Sequence, residues 1–491
     1  MQQASEGRKQ ATAARPASRT RERCNKARRR AVFVVIRLRK AAADLPGFLS
    51  GQHRKEHGAR GYLLSESARR RIAIIGSGIS GLGAAWLLDD RHDVTLFEAA
   101  PRAGGHARTV HAEGVDVDTG FIVCNRRTYP LFIPMLEKLG VALEPSDMSF
   151  GASFGQGRYE YGTSSTRAMF AQPMCLMDAG HWRLIRDIMR FFRQAPSHHA
   201  SDGSIGDLIG ALRLGDEFRD RFLLPISGAI WSTPTAEMMK FPAGAFVRFF
   251  DNHGLLSVNG QPQWLTVSGG SQRYVQAILD RLKGDLRLSC PVHSVRRDPG
   301  GITIASARGE ERFDRVVFAT HAPQALAALQ RPDTDEAAIL GAMRTQPNRM
   351  VLHSDPTLMP RRRAAWASWN YVTRGDMPAT DRPISLSYWM NRLQNLQTAR
   401  PLIVTLNPET EPRRIHDEAS FAHPQFDAAA IAAQGRLHEI QGRGGVYYAG
   451  AWTRYGFHED GLLSALRVAQ AMGIEWPLGP DPWTAPKRLA A

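Results

Sequence analysis

Gly76, Gly78 and Gly81 have the spacing to cradle a diphosphate, and they follow directly on four apolar residues, Ile72, Ala73, Ile74 and Ile75. In a strand-to-helix turn of this kind the first glycine permits the tight reversal. The second lets the backbone approach the anion, and the third lets helix and strand pack closely. The amides that open the following helix, at Ile79 and Ser80, face the anion, whose negative charge the helix dipole favours. A second apolar segment, Val94 to Phe97, ends in Glu98 and Ala99. An acid about 20 residues past the first glycine accepts hydrogen bonds from a ribose diol and repels a 2′-phosphate. A glycine triplet alone is a weak signal; strand, helix and acid at this spacing together predict a dinucleotide site.

Glu98 does not decide between NAD and FAD, but the residues after it do. Pro101-Arg102-Ala103-Gly104-Gly105-His106-Ala107-Arg108-Thr109 resembles the second glycine motif of the flavin-containing amine oxidase and phytoene desaturase superfamily. The resemblance implies FAD as cofactor, with Gly104 and Gly105 permitting close backbone approach and Arg108 adding a charge-assisted contact to the diphosphate. It also implies an α/β fold: a Rossmann-like FAD-binding domain built from discontinuous segments, with an inserted α+β substrate domain. Residues 71–124, 264–321 and 444–475 would form the first, 125–263 and 322–443 the second, and 476–491 a tail. Further segments match in order. Val115 to Val123 looks like the stretch that passes the flavin ring, and its Asp118 and Gly120 either anchor that ring segment or form a plain turn ending a strand. A helix over Arg273 to Leu282 and a strand over Leu286 to Val295 are expected, with Val292 matching the valine that lies against the adenine. After the strand Val446 to Tyr448, Gly450 matches the turn at the pyrophosphate. A helix starting near Gly461, flanked by Asp460 and Leu462, would aim its N-terminus at the flavin; Asp460 fits an N-cap equally well.

The pattern Tyr455-Gly456-Phe457-His458-Glu459-Asp460-Gly461 narrows the likeness. It is similar to predicted FAD/NAD-binding oxidoreductases related to the oxidase region fused to plant cyclopropane fatty acid synthases. That likeness implies an acyl-lipid substrate and places His458, with Glu459 as the alternative, beside the flavin as base. Many amine oxidases of the superfamily use a late lysine near the flavin, yet no Lys occurs between Lys283 and Lys487, which disfavours amine oxidation. No second dinucleotide motif appears, so electrons are expected from the substrate itself.

The elements that position these residues sit in a chain whose charge is unevenly spread. Of the net +16, residues 1–71 carry +14 and the remainder only +2, so the body is nearly neutral and nucleic acid is not an expected partner. The Arg- and Ala-rich stretch 1–70 reads as an unstructured extension, with folding starting near Ala68. Cys24, Cys124, Cys175 and Cys290 are scattered without metal-like spacing, so free thiols in a cytoplasmic setting and no metal site are expected. No apolar stretch approaches the ~18 residues that mark a membrane span. Arg183, Arg186, Arg190 and Arg193 recur at helical spacing, opposite Leu184, Ile185, Ile188, Met189 and Phe192. Such a helix either contacts the inner membrane surface peripherally or is an ordinary domain helix with solvated arginines. Pro225 to Pro234, with Trp366, Trp369, Tyr371, Tyr388 and Trp389, either lines an apolar tunnel or is core.

Three functions stay open at this level. The first is an FAD-dependent oxidoreductase that takes a hydride from an unsaturated or methyl-branched acyl chain and passes electrons to dioxygen or a redox protein. The second is a redox-neutral flavin isomerase or mutase, and the third a non-catalytic flavoprotein that binds a lipid methyltransferase.

Overall fold

Strand β1 (Arg71–Ile75) is buried on both faces, and the computed structural model, which describes residues 69–231, 238–256, 261–376, 378 and 384–484, shows why. It is the middle of a five-stranded sheet in the order β3 (Asp285–Arg287), β2 (Asp93–Phe97), β1, β4 (Arg315–Phe318), β5 (Val446–Tyr448). Every pairing in it is parallel. Parallel sheets need cover on both sides, so their strands are continuously apolar. Ile72 and Ile74 accordingly point into one core and Ala73 and Ile75 into another.

The first core is covered by helices α1 (Ile79–Leu88), α2 (Phe132–Leu139) and, near the end of the chain, α5 (His458–Ala471). The second is covered by a three-stranded antiparallel sheet over 292–313 and by α4 (Ala322–Ala328) with helices Thr334–Gly341 and Ala428–Arg436. A seven-stranded sheet forms the other half. It runs in the order Ile415–Pro424, Thr345–His353, Ile403–Leu406, Leu386–Trp389, Trp369–Val372, Phe150–Phe154, Tyr159–Gly162. Its apolar side packs against α3 (Ala179–Gln194) and helix Ala243–Asn252 in the largest core.

Packing moves the segment boundaries expected from motif positions. Tyr129 to Leu139, assigned to the substrate half by sequence, lie in the core beside α1, and Ala322 to Leu340 lie against β4 and β5. Trp476, expected in a tail, is buried there too, with its ring 5.5 Å from that of Trp86. Both faces of a parallel sheet must be covered, and the covering helices come from wherever the chain returns. The single strand expected over Leu286 to Val295 is two: β3 in the parallel sheet and Val292–Asp298 in the antiparallel one. Pro291, which has no amide to give a ladder, stands between them. Residues 1–68, where the unstructured extension is expected, and 232–234 of the proposed tunnel segment lie outside the described residues.

Candidate active site

The β1–α1 turn is built from glycines with different reasons to be there. Gly76 has φ +101°, donates its N–H to Phe97 O at 2.8 Å, and a Cβ on it would meet Ala319 O at 2.7 Å. A Cβ on Gly81 would stand 1.8 Å from Gly76 O, so α1 packs directly on the turn. Gly78 differs: it is the N-cap of α1, its φ is an ordinary −67°, and a Cβ there would meet nothing within 4 Å. Open space beside it belongs to a cavity of about 790 Å³, which Gly76, Gly78, Ile79 and Ser80 all line.

The other expected cofactor residues fall into two groups. Glu98, Ala99, Gly105, Val292 and Gly450 line the same cavity. The Glu98 carboxylate accepts from the Ser77 and Ala100 amides, both at 2.9 Å, at the end of β2. Gly105 brings the second glycine motif against the first, since a Cβ on it would lie 3.0 Å from Gly78 Cα. Gly104 is one step removed: it turns the chain at φ +116° and donates to Ser77 O at 3.0 Å.

Arg108, Glu459, Asp460, Gly461 and Leu462 do not line the cavity. The Arg108 guanidinium forms a two-point ion pair with Asp417 and also reaches Thr119 Oγ1 at 3.2 Å, so the contact expected with a diphosphate is made to a strand of the other half. Glu459 is buried with its oxygens accepting from the Leu131 and Phe132 amides at 3.0 Å and Trp483 Nε1 at 2.9 Å. It caps the start of α2. Burial pushes its carboxyl up to about 7. Asp460 accepts from the Phe457 amide at 3.0 Å, the N-cap-side role, and burial raises it to about 6. Gly461 permits contact between two helix starts, as a Cβ would meet Ile79 Cγ2 at 2.7 Å, and Leu462 packs over Gly83.

His458, the first residue of α5, does reach the cavity. Its ring stacks on Phe121 with centroids 3.7 Å apart, and Nε2 lies 3.0 Å from Tyr274 Oη. Burial pushes this imidazole down to about 3, so it is neutral at ordinary pH. Asp118 is a buried junction: it accepts from Ser271 N and Oγ, from Thr109 Oγ1 and from Gln394 Nε2, which ties the stretch beneath the cavity to both halves.

Sequence reasoning singled out His458 and missed the other histidines. Among the described residues, no Arg or Lys lines the cavity, whereas His106, His253, His293, His321, His423 and His458 do. His106 follows Gly105 directly, and its ring lies 6.2 Å from His321 and 5.7 Å from His423, centre to centre. Burial holds His106 well below the usual imidazole range, helped by its imidazole neighbours, and pushes His423 down to about 4. The signal was available: a histidine sits inside the second glycine motif, between Gly105 and Arg108.

The cavity continues past Gly120, Phe121 and His458 into an apolar chamber of the other half, lined by Met148, Ile230, Trp264, Trp369, Tyr388 and Leu406. An open helix start, a second glycine backbone against it and a carboxylate at the end of the next strand suit the diphosphate and ribose of FAD.

The sequence model of flavin containing amine oxidoreductases matches residues 79–349, more than half of the chain. The chain belongs to the flavin-containing amine oxidoreductase family. As a member of it, the protein has FAD as its cofactor. This amine oxidoreductase family member is 25% identical over 263 residues to AofH of Mycobacterium tuberculosis, provisionally named a flavin-containing monoamine oxidase, covering 50% of this chain and 56% of that one. It is 22% identical over 268 residues to the flavin-dependent L-tryptophan oxidase RebO of Lentzea aerocolonigenes, covering 49% and 55%. The chain thus spans about half the length of the curated relatives it matches. Among solved structures, the CLA-producing fatty acid isomerase from P. acnes superposes with a TM-score of 0.61 over 83% of this chain and 99% of that one, at 14% identity. At that identity the likeness is one of fold. Among the described residues, no helix is long and apolar enough to cross a membrane.

Proposed function

We propose that the protein takes a hydride from a hydrophobic substrate of the fatty-acyl class, unsaturated or methyl-branched, and that dioxygen or a redox protein finally receives the electrons. One observation carries this reading: the nucleotide cradle and the apolar chamber are a single continuous cavity. FAD, when bound, supplies the hydride acceptor. The amides at Gly78, Ile79 and Ser80 would hold the diphosphate, Glu98 the ribose hydroxyls, and Val292 and Gly450 the adenine and phosphate ends. Trp369, Tyr388, Met148 and Leu406 would hold the substrate chain and exclude water.

Charge supports an uncharged substrate over an ammonium. Among the described residues that line the cavity, Glu98 is the one carboxylate, and it sits at the ribose end. His458 is a positioning residue in this account. With its ring stacked on Phe121, its Nε2 engaged with Tyr274 and its basicity lowered to about 3, it holds part of the cavity wall in place and is a poor proton acceptor.

The test is anaerobic mixing of the FAD-loaded protein with unsaturated and branched acyl lipids. Lasting loss of the visible flavin absorbance, with a new double bond in the product by mass spectrometry, is expected. A product isomer of unchanged mass without lasting bleaching would instead make the protein a redox-neutral isomerase. Bleaching by a primary amine but by no acyl lipid would overturn the substrate class.

A further inference from the structure

Six large apolar side chains are exposed among the described residues, and five of them lie within 16 positions of one another: Met174, Leu176, Met177, Trp182 and Met189. Soluble surfaces rarely gather large apolar side chains in one place without a use for them. This gathering is held rigidly. Cys175 is buried beneath the loop, Trp182 Nε1 donates to Leu176 O at 3.0 Å, and Asp178 caps the start of α3 through the Gly180 amide. Met174 and Met177 are 72% and 83% exposed, so they project clear of the protein and do not lie flat on it.

Helix α3 differs from its sequence reading in a way that matters. Its inward face is Leu184, Ile188 and Phe191, whereas Met189 turns outward to join Trp182 among the arginines. The outer face is therefore mixed, with Arg183, Arg186 and Arg193 exposed between apolar side chains. Two of these have acidic neighbours, Glu217 for Arg183 and the buried Asp187 for Arg186, and the face as a whole stays cationic.

We propose that the loop 174–177 and the outer face of α3 form a docking surface for an anionic phospholipid bilayer. Projecting methionines enter a fluid acyl layer without needing a shaped partner, tryptophan settles at the headgroup level, and arginines reach the phosphates. A folded protein partner would have to offer a socket for each projecting methionine and an acidic rim as well. The proposal does not depend on the substrate reading, because it concerns adsorption and not turnover.

The experiment uses the full FAD-loaded chain and vesicles of phosphatidylcholine alone or mixed with phosphatidylglycerol, in moderate salt and again in salt high enough to screen surface charge. Tryptophan fluorescence is read with lipids brominated in their acyl chains. Binding to the mixed vesicles with quenching is expected, and Trp182→Phe should remove most of the quenching while leaving binding in place. Replacing Met174 and Met177 together by serine should weaken partitioning by about tenfold, and Arg186→Gln by about fivefold. The double serine variant changes only exposed side chains, so its visible spectrum and thermal midpoint should not change, whereas Arg186→Gln unpairs the buried Asp187 and Trp182→Phe loses the bond to Leu176 O, so those two should keep the spectrum but melt lower. Binding that the variants leave untouched, and that high salt abolishes, would assign adsorption to the basic stretch before residue 71 and overturn the proposal. Concentration-dependent self-association that the double serine variant removes, without vesicle binding, would assign the patch to a second copy of the chain and overturn it equally.

Discussion

Two glycines three positions apart should respond to substitution in opposite ways. Gly78 is the N-cap of α1 with φ −67°, and a Cβ on it meets nothing within 4 Å. Aspartate is a better N-cap than glycine by a few tenths of a kcal/mol, and losing a glycine lowers the unfolded chain's entropy by about 0.4–1 kcal/mol. Gly78→Asp should therefore leave the FAD-free fold as stable as before or slightly more so. The same carboxylate stands in the cradle. Like charges about 4 Å apart at an effective dielectric of about 20 repel by about 4 kcal/mol, roughly a thousandfold in Kd. Gly81→Ala reverses the pattern. Its Cβ would lie 1.8 Å from Gly76 O, a backbone atom that cannot swing aside, so stability should fall by about 3 kcal/mol. Thermal midpoints of the FAD-free proteins and FAD titration by fluorescence quenching separate the two. The reasoning is refuted if Gly78→Asp keeps FAD within tenfold of wild type, or if Gly81→Ala melts with it.

Asp417→Asn should cost about 1–3 kcal/mol by unpairing Arg108, while FAD affinity at neutral pH changes little; a large loss of affinity would return Arg108 to the diphosphate. Glu459→Gln should destabilise by a similar amount, because an amide nitrogen would face the Leu131 or Phe132 amide, and should spare the flavin spectrum. Stability should rise with pH between about 4 and 6.5: His253, His353 and His423 are held down to about 4 and His458 to about 3, so in that window the unfolded chain binds these protons and the native one does not. Asp118 and Asp460, raised to about 6, and Glu459, raised to about 7, work in the opposite direction, and the histidines, with His106 and His321 also lowered, outnumber them. Urea midpoints that do not fall on acidification would contradict this balance. His106→Arg puts a fixed charge where burial keeps the imidazole neutral, so it should tighten FAD binding by a similar factor at pH 8 and at pH 6; an unchanged affinity would detach His106 from the diphosphate.

The fold was legible where covalent geometry speaks locally. A tight reversal, a close helix approach and a continuously apolar strand each demand particular residues at particular spacings, so β1, its turn and α1 could be read from Ile72 to Leu88. What resisted were contacts between distant stretches. Arg108 is paired with a residue 309 positions later, and Glu459 with amides 328 and 327 positions earlier; a motif says which side chain is present but not which partner the folded chain offers it. The same holds for α3, where periodicity gave a helix, but only the core decided that Phe191 turns in and Met189 out. The segment boundaries were hard to read for a related reason. Helices such as α2 and α4 carry no mark of the sheet they cover.

The measurement closest to the central claim is the visible spectrum and flavin content of the purified full-length protein, taken before and after incubation with excess FAD. The account predicts a yellow protein, or one made yellow by the incubation, with one FAD for each chain and loss of that binding in Gly78→Asp. A well-folded protein that stays colourless with FAD in excess would contradict it.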